Sequence, residues 1–415
     1  MSYHPCSKCK ISGVICEGRY VFCGVNYSLR TNKEYIRCLD EDHHKDGKSP
    51  LSVLPIGMVS QVPFEYMHLV CLGVVKKLLS AWIHGKYSRL TKLSATSIAR
   101  ISRRLKILAR YCPSDFARRP RSLDACAKYK ATEYRQFLLY TGPVVTYGIL
   151  DHEVYTHFLF LHVAIRILVS TSPTQTYLNF ADLALKKFVN RCDNLYGPTF
   201  NSYNVHGLIH LTNDVRQLGP LDSFSAFPYE NNMAVFRKYC RKPGSVLQQI
   251  SNRISEIEAH AAIDYCTIDS SIHVSMKHNI GPLPCNVVPN CNQYRKIVFD
   301  EILLSLDLHD NCCMLRDGSI CIVVNIFMAD NSHYLVLKKF SHVHTFYDIG
   351  ISSSALHIFK CSTLDDNIFS VHIREVSYKC YRMPFWNSTL IHDNNIEENL
   401  QISEYIVAAI THHTY

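Results

Sequence analysis

The sequence predicts an α+β protein in which a long helical block precedes a small all-β domain. Two textures carry that prediction. From Glu65 to about Cys266 apolar residues recur with a helical period, and past about residue 290 the period becomes two. A third observation sharpens the β half. Asp317–Gly318 sits between β-rich runs in "CCMLRDGSICIVVNIF", the strongest short hairpin signal. At 415 residues the chain is too long for one compact core, so about two or three units are expected.

Residues 1–62 are irregular, with glycines, charges and the cluster "DEDHHKDGKSP" at 40–50. Pro50, Pro55 and Pro63 punctuate them, so loop with short strands is expected. The helical block opens on "EYMHLVCLGVVKKLLSAWI". There Met67, Val70, Cys71, Val74, Val75, Leu78 and Leu79 share a stripe, and Lys76 and Lys77 turn away from it. "TSIARISRRLKILARYC" repeats the pattern with a basic back of Arg100, Arg103, Arg104, Lys106 and Arg110. "EYRQFLLYTGPVVTYGIL", "VYTHFLFLHVAIRILV" and "TYLNFADLALKKFVNRCDNLY" continue it, and Pro113, Pro120 and Gly142–Pro143 supply breaks. About seven or eight helices result. "SHYLVLKKF", "SALHIFKCS", "NIFSVHIREV" and "YKCYRMPF" follow at strand-like intervals, as in a small barrel or sandwich. No internal repeat or low-complexity tract interrupts the order.

Composition narrows the function classes. The chain is 47% apolar and 19% charged, a globular balance, and its net charge of +9 suits a polyanionic partner without requiring one. Eighteen cysteines show no repeated framework, and "MSYHPCSKCK" lacks the apolar core of a signal peptide. Reduced thiols of an intracellular protein are expected. The apolar run at 157–170 carries Arg166 and two histidines and is too short for a bilayer, so no membrane span is expected. There is no Gly-rich phosphate loop and no G-x-S-x-G elbow, and no small-molecule substrate is expected.

Two constellations could hold a metal. Cys6 and Cys9, two residues apart, can pinch a tetrahedral zinc. On a helix, His206 and His210 would project from one face, one turn apart. Each pair lacks two ligands, and together they would close one Cys₂His₂ site. Cys16, Cys23, Cys38, His43 and His44 are rival ligands. Glu230, after "FPY", reads alone as a first-turn acid favoured by the helix dipole. Arg237, Lys238, Arg241 and Lys242, read as one helix with it, are either a solvated face or a track for phosphates. Arg118, Arg119 and Arg121 are further basic candidates.

The order Cys-x-x-Cys, long helical stretch, His-x₃-His and then a glutamate resembles the second half of a DDE transposase core with a helical insertion. The text is most similar to CACTA (En/Spm) transposases of the kind spread through animal genomes. "EYMHLVCLGVVKKLL" resembles their D-x-M-H block, with Glu65 in place of the aspartate and His68 retained. "YKATEYRQFLLYTGPVV" and "YNVHGLIHLTNDVRQLGPLDSFSAFPYEN" extend the resemblance over most of residues 3–265.

The resemblance implies an α+β fold with a large helical insertion attached to a partial ribonuclease-H-like fold, followed by a small all-β domain. Its units would be 1–62 with the Cys-x-x-Cys, 63–202 as the insertion, 203–270 with the histidines and catalytic glutamate, and 290–405 as the β-rich domain. It implies structural zinc on Cys6, Cys9, His206 and His210, Glu230 as a relic of the last catalytic acid, and DNA and a homo-oligomer as candidate partners. A nuclear or nucleocytoplasmic location follows. The family's strand cleavage and transfer needs two metal ions held by three carboxylates. Its two aspartates would precede Cys6, where "MSYHP" has none, and Asp40, Asp42 and Asp46 are the substitutes on offer. The expectation is a truncated or domesticated protein that does not cut DNA, with magnesium relevant only to an intact core. The alternative is a domesticated protein or nucleic-acid interaction module built on the helical scaffold and β-rich tail. A plain helical and β protein whose Cys and His residues are core residues is the third reading.

Overall fold

Both textures of the sequence become structure, helical to residue 261 and β-rich beyond it. The computed structural model describes residues 5–41, 43, 44, 47–171, 174–261, 272–285, 291–386 and 402–411. Asp42 and Asp46 lie outside these residues.

The chain begins with a two-stranded antiparallel hairpin, β1 (Val14–Cys16) and β2 (Arg19–Val21). Its turn residues Glu17 and Gly18 both have positive φ, the turn that suits strand twist. A short helix, α1 (Asn32–Ile36), starts on a Thr31–Glu34 capping box. A π-helical stretch, Met67–Val75, then runs unbroken into α2 (Lys76–His84), which stops at left-handed Gly85. Met67–His84 is long and apolar enough to cross a membrane by length and composition, and 56% of it is buried within the fold. It lines the core with Val70, Val74, Leu78 and Trp82. α3 (Ala95–Leu108) is capped by Ser94. α4 (Ala131–Gln136), a widened turn at Phe137–Thr141 and α5 (Gly142–Thr146) form one continuous helix. α6 (His152–Leu168), buried on almost every face, packs along α7 (Gln175–Tyr196). α8 (Tyr203–Gly207), a 3₁₀ turn at Leu208–His210 and α9 (Leu211–Leu218) follow as another continuous run. Two helices with few buried residues, α10 (Phe227–Tyr239) and α11 (Val246–Ala261), end the block.

Four expectations change here. Gly142–Pro143 does not break its helix, because the π turn before it carries the chain past a proline that would clash with the ordinary i−4 carbonyl. Lys77 does not face solvent. Its ammonium donates to the Phe200 carbonyl at 2.6 Å, with the stem buried. Arg104 is buried as well, donating to the carbonyls of Val145 and Tyr147. Arg241 and Lys242 do not continue α10, which ends at Tyr239. Lys242 precedes Pro243, which disfavours helix, and both backbone N–H groups donate to the Gln249 side chain.

The β half contains β3 (His273–His278), β4 (Asn292–Phe299), β5 (Ile302–Ser305), β6 (Cys312–Leu315), β7 (Ile320–Ala329) and β8 (Ser332–Thr345). β9 (Ile358–Leu364), β10 (Phe369–His372), β11 (Val376–Pro384) and β12 (Glu404–Ala409) complete it. Every pairing is antiparallel. The order β6–β7–β8–β9–β12–β11 returns to β6, so six strands close into a barrel. Met314, Ile322, Phe340, Cys361, Cys380 and Val407 fill its interior, one from each strand. The Asp317–Gly318 turn joins β6 to β7, as its composition predicts. β4 pairs with β7 and carries β3 and β5, while β10 pairs with β8; these cover a second apolar layer around Leu304 and Leu337.

The barrel's outer face joins the helical core through Tyr381, Met383, Ile406 and Ala408. Polar contacts fix the joint. Arg166 donates to the Ala409 carbonyl at 2.6 Å, and the Tyr381 hydroxyl donates to the Leu108 carbonyl at 3.0 Å. The His162 Nδ1 bonds the Leu138 carbonyl, and its Nε2 meets the Tyr347 hydroxyl at 2.6 Å. A carbonyl only accepts, so Nδ1 carries the proton and Tyr347 donates to Nε2.

These contacts make the fold acid-sensitive well above the carboxylate range. Burial pushes the His157 imidazole down to about 4 and that of His162 to about 3. Unfolded, both would protonate near pH 6.5. Below that pH the unfolded chain therefore binds more protons than the folded one. Stability is expected to fall on acidification through this window, by about 1.4 kcal/mol per pH unit for each ring. Urea midpoints measured across the window check this. His162→Gln should flatten the slope, and an unchanged slope would exclude His162 as a contributor.

Candidate metal centre

Cys6 and Cys9 lie in a tight loop whose backbone is tied on both sides. The Cys6 amide donates to the Ile11 carbonyl at 3.0 Å, and the Lys8 amide points at the Cys6 sulfur at 3.4 Å. Arg30 clamps the loop from outside by donating to the Cys6 carbonyl at 2.7 Å and pairing with Asp40 at 2.6 Å. The histidines come from the α8–α9 run. Gly207 lets that run approach closely, because a Cβ there would stand 2.6 Å from Leu69 Cδ1. Gly73 does the same from the facing helix, where a Cβ would fall 2.5 Å from the Asn204 amide nitrogen. A larger residue would have to displace the Leu69 side chain at position 207, or the Asn204 side chain and the His68 carbonyl at position 73.

The four side chains converge. His206 Nε2 lies 3.4 Å from His210 Nε2, Cys6 Sγ 3.5 Å from His210 Nε2, and Cys9 Sγ 3.3 Å from His206 Nε2. All four ligand atoms fall within 4.8 Å of one another, and all four residues are buried. A tetrahedral site with Zn–N of about 2.1 Å and Zn–S of about 2.3 Å has edges of roughly 3.4 Å between nitrogens and about 3.6 Å between nitrogen and sulfur. The three spacings lie within about 0.3 Å of those edges. This buried Cys₂His₂ group can hold a metal ion, and its donor set is compatible with zinc.

Electrostatics favour the same arrangement. The hydrogen bond from Cys9 drives the Cys6 thiol well below its ordinary value, against the opposing effect of burial, and both histidines add to the drop. The same bond, with burial and the charge on Cys6, pushes the Cys9 thiol up. Phe22, Phe64 and Tyr203 pack around the group and keep water out. The His206 Nδ1 has no acceptor among the described residues, so packing against Phe22 and Tyr27 sets its ring orientation.

One buried ion pair braces the clasp, and sequence reasoning missed it. Lys8, between the two cysteines, donates to Asp214 at 2.8 Å with both side chains under 10% exposed. Asp214 also accepts from the Phe64 amide at 3.0 Å. A signal was present, because Asp214 lies four residues past His210 and extends the His206–His210 stripe by one turn. Among the described residues the rival ligands form no such group. His44 bonds the Asp40 carbonyl and packs on Tyr35, and Cys23 is exposed.

Glu65, His68 and Glu230 also come together, on the surface. Glu65 accepts from the amides of Met67 and His68 at 2.7 Å, capping the π-helical stretch. It also accepts from the Ala226 amide at 2.7 Å, tying that stretch to the start of α10. His68 bridges the two acids, its Nδ1 2.7 Å from Glu65 and its Nε2 3.3 Å from Glu230. Glu230 sits in the first turn of α10, where the helix dipole favours it. The basic candidates disperse. Arg237 and Lys238 are exposed on the last turn of α10, Arg241 and Lys242 lie beyond it, and Arg118 and Arg119 are exposed. Arg121 is taken up by a two-pronged bond to Glu133 at 2.6 and 2.8 Å.

With this geometry in hand, comparison with known proteins adds one similarity. Residues 277–395 match a domain of unknown function, DUF8592, a span that holds most of the barrel but not β12. No curated protein and no solved structure matches the chain.

Proposed function

We propose that this chain is a transposase-derived scaffold of the CACTA (En/Spm) type. A structural zinc ion on Cys6, Cys9, His206 and His210 would lock its amino-terminal segment, part of a ribonuclease-H-like fold, onto the helical insertion. The observation that carries the reading is the 3.4 Å spacing of two histidine nitrogens closed against two buried sulfurs some two hundred residues away. Zinc contributes no catalytic step here. It supplies four bonds that make the loop and the helix one folding unit. The meeting of Glu65, His68 and Glu230 supports the same ancestry, since these are the positions of the family motif and the last catalytic acid.

The role assigned is holding and presenting, with DNA as the candidate partner in the nucleus, rather than cutting. Two-metal chemistry needs carboxylates converging on one point. Among the described residues the converging group is the Cys₂His₂ set, while Glu230 meets Glu65 only through His68. The test combines two assays on the purified chain. Elemental analysis is expected to find about one zinc per chain, and supercoiled plasmid with magnesium is expected to stay intact. Zinc-free protein of full stability would overturn the clasp; robust magnesium-dependent nicking would overturn the scaffold role.

A further inference from the structure

A cleft of about 1140 Å³ opens beside the clasp, between the amino-terminal segment and the Met67–His84 helix. Lys48, Lys76, Lys77 and Lys86 line it, and none of its described lining residues carries a carboxyl group. Tyr20, Phe22, Tyr35, Tyr87 and Tyr203 supply ring surface between the lysines. At its mouth three cations crowd one ring. Lys77 lies 4.8 Å, Lys86 5.8 Å and Arg19 5.9 Å from the Tyr87 centroid.

Such a set of like charges is unusual without counter-ions. The Lys77 ammonium donates to the Thr199 and Phe200 carbonyls and lies over the Tyr87 and Phe200 rings, and among the described residues none of Lys48, Lys76, Lys77, Lys86 and Arg19 forms an ion pair. Burial brings the Lys77 ammonium down to about 8, with Arg19 and Lys86 adding to the drop and Cys192 opposing it. The fold holds these charges together against their repulsion, and an anion entering the cleft would relieve it.

We infer that the cleft is a binding groove for single-stranded polynucleotide, with phosphates on the lysines and bases against the tyrosine rings. Cations interleaved with aromatic faces are the arrangement that binds single strands without reading sequence. An acidic peptide would satisfy the lysines but leave the rings without stacking partners, and a duplex keeps its base faces stacked inside. The groove is distinct from the α10 track of Arg237 and Lys238. It also does not depend on the chain's ancestry, although the clasp holds its Ser7, Phe22 and Tyr203 wall in place.

The test is fluorescence anisotropy of a labelled oligodeoxythymidylate on the full chain, with duplex of the same length and polyglutamate as competitors. Single strand should bind, and polyglutamate and duplex should compete poorly. The exposed double variant K76Q/K86Q should weaken binding by about tenfold or more and lower the log–log salt slope by roughly 1.4, about 0.7 for each lost phosphate contact. Tyr87→Leu, which keeps packing on Phe200, should weaken binding with the slope unchanged. Equal affinity of K76Q/K86Q and the parent would overturn the inference, as would duplex or polyglutamate competing as well as single strand. Zinc content and melting temperature read on the same samples separate failure of the clasp from failure of the groove.

Discussion

Replacing His206 with alanine is expected to release the amino-terminal segment from the rest of the chain. Three ligands remain, but the fourth corner of the buried site opens, and Cys6, Cys9 and His210 are left with an ion they cannot close around. Structural zinc contributes on the order of 10 kcal/mol to the fold it closes, so loss of one corner should remove several of them. The variant should lose zinc on dialysis, melt earlier, and become sensitive to proteases between residues 10 and 62. Chelation of the parent protein should reproduce all three changes. Acid should do so as well, because thiolates and neutral imidazoles are the ligating forms and protonation ejects the ion. A His206→Ala chain with the parent's melting temperature and protease pattern would show that packing alone holds the loop.

The second large effect lies at the joint between barrel and helices. Lys379, on β11, is buried between Asp115 and Asp310, with the Asp310 oxygen 2.6 Å away, and Asp310 also accepts from the Ser114 amide at 3.0 Å. Lys379→Met leaves the buried Asp310 carboxylate and the partly buried Asp115 carboxylate without their shared lysine, with His309 beside Asp310 at 3.2 Å. Removing one partner of a buried pair costs about 3–5 kcal/mol, and that loss is expected in urea unfolding at neutral pH. The pH dependence follows from Asp310. Burial raises its carboxyl, but the Lys379 bond and charge, with Ser114, outweigh that and hold it below the ordinary aspartate value. A depressed carboxyl stabilises the fold above its unfolded pKa and loses that contribution as pH falls through the folded value. The deficit of Lys379→Met should therefore shrink in acid, where the carboxyls protonate and no longer need the cation. A deficit under about 1 kcal/mol at neutral pH would mean that the pair is offset by its own desolvation.

Local chemistry was legible in the sequence, and long-range closure was not. The Cys-x-x-Cys and His-x₃-His pairs each signal half a site through spacing alone, but nothing in either pair says that they meet. That link came from resemblance, and in the fold Gly73 and Gly207 sit where the α8–α9 run packs closely on the Met67–His84 helix. Periodicity marked β6 to β11 but not β3, β4, β5 or β12, and Asp317–Gly318 marked the first barrel hairpin. It could not show that β12 inserts between β9 and β11 to close the ring, because register between distant strands leaves no local trace. Charge misled in a consistent direction. Lys77 and Arg104 read as solvent-facing by composition, yet each has a buried stem that ends on backbone carbonyls. Helix breakers misled once, where a π turn absorbed Pro143.

The position of β12 has a consequence for how the molecule is made. As the ribosome extends the chain, every other wall of the ring emerges first, so β9 and β11 wait side by side with open hydrogen-bonding edges. Those edges are templates for neighbouring nascent chains until β12 arrives and Arg166 finds the Ala409 carbonyl. A stop before residue 404 would therefore yield a sticky, chaperone-bound product rather than a barrel short of one strand.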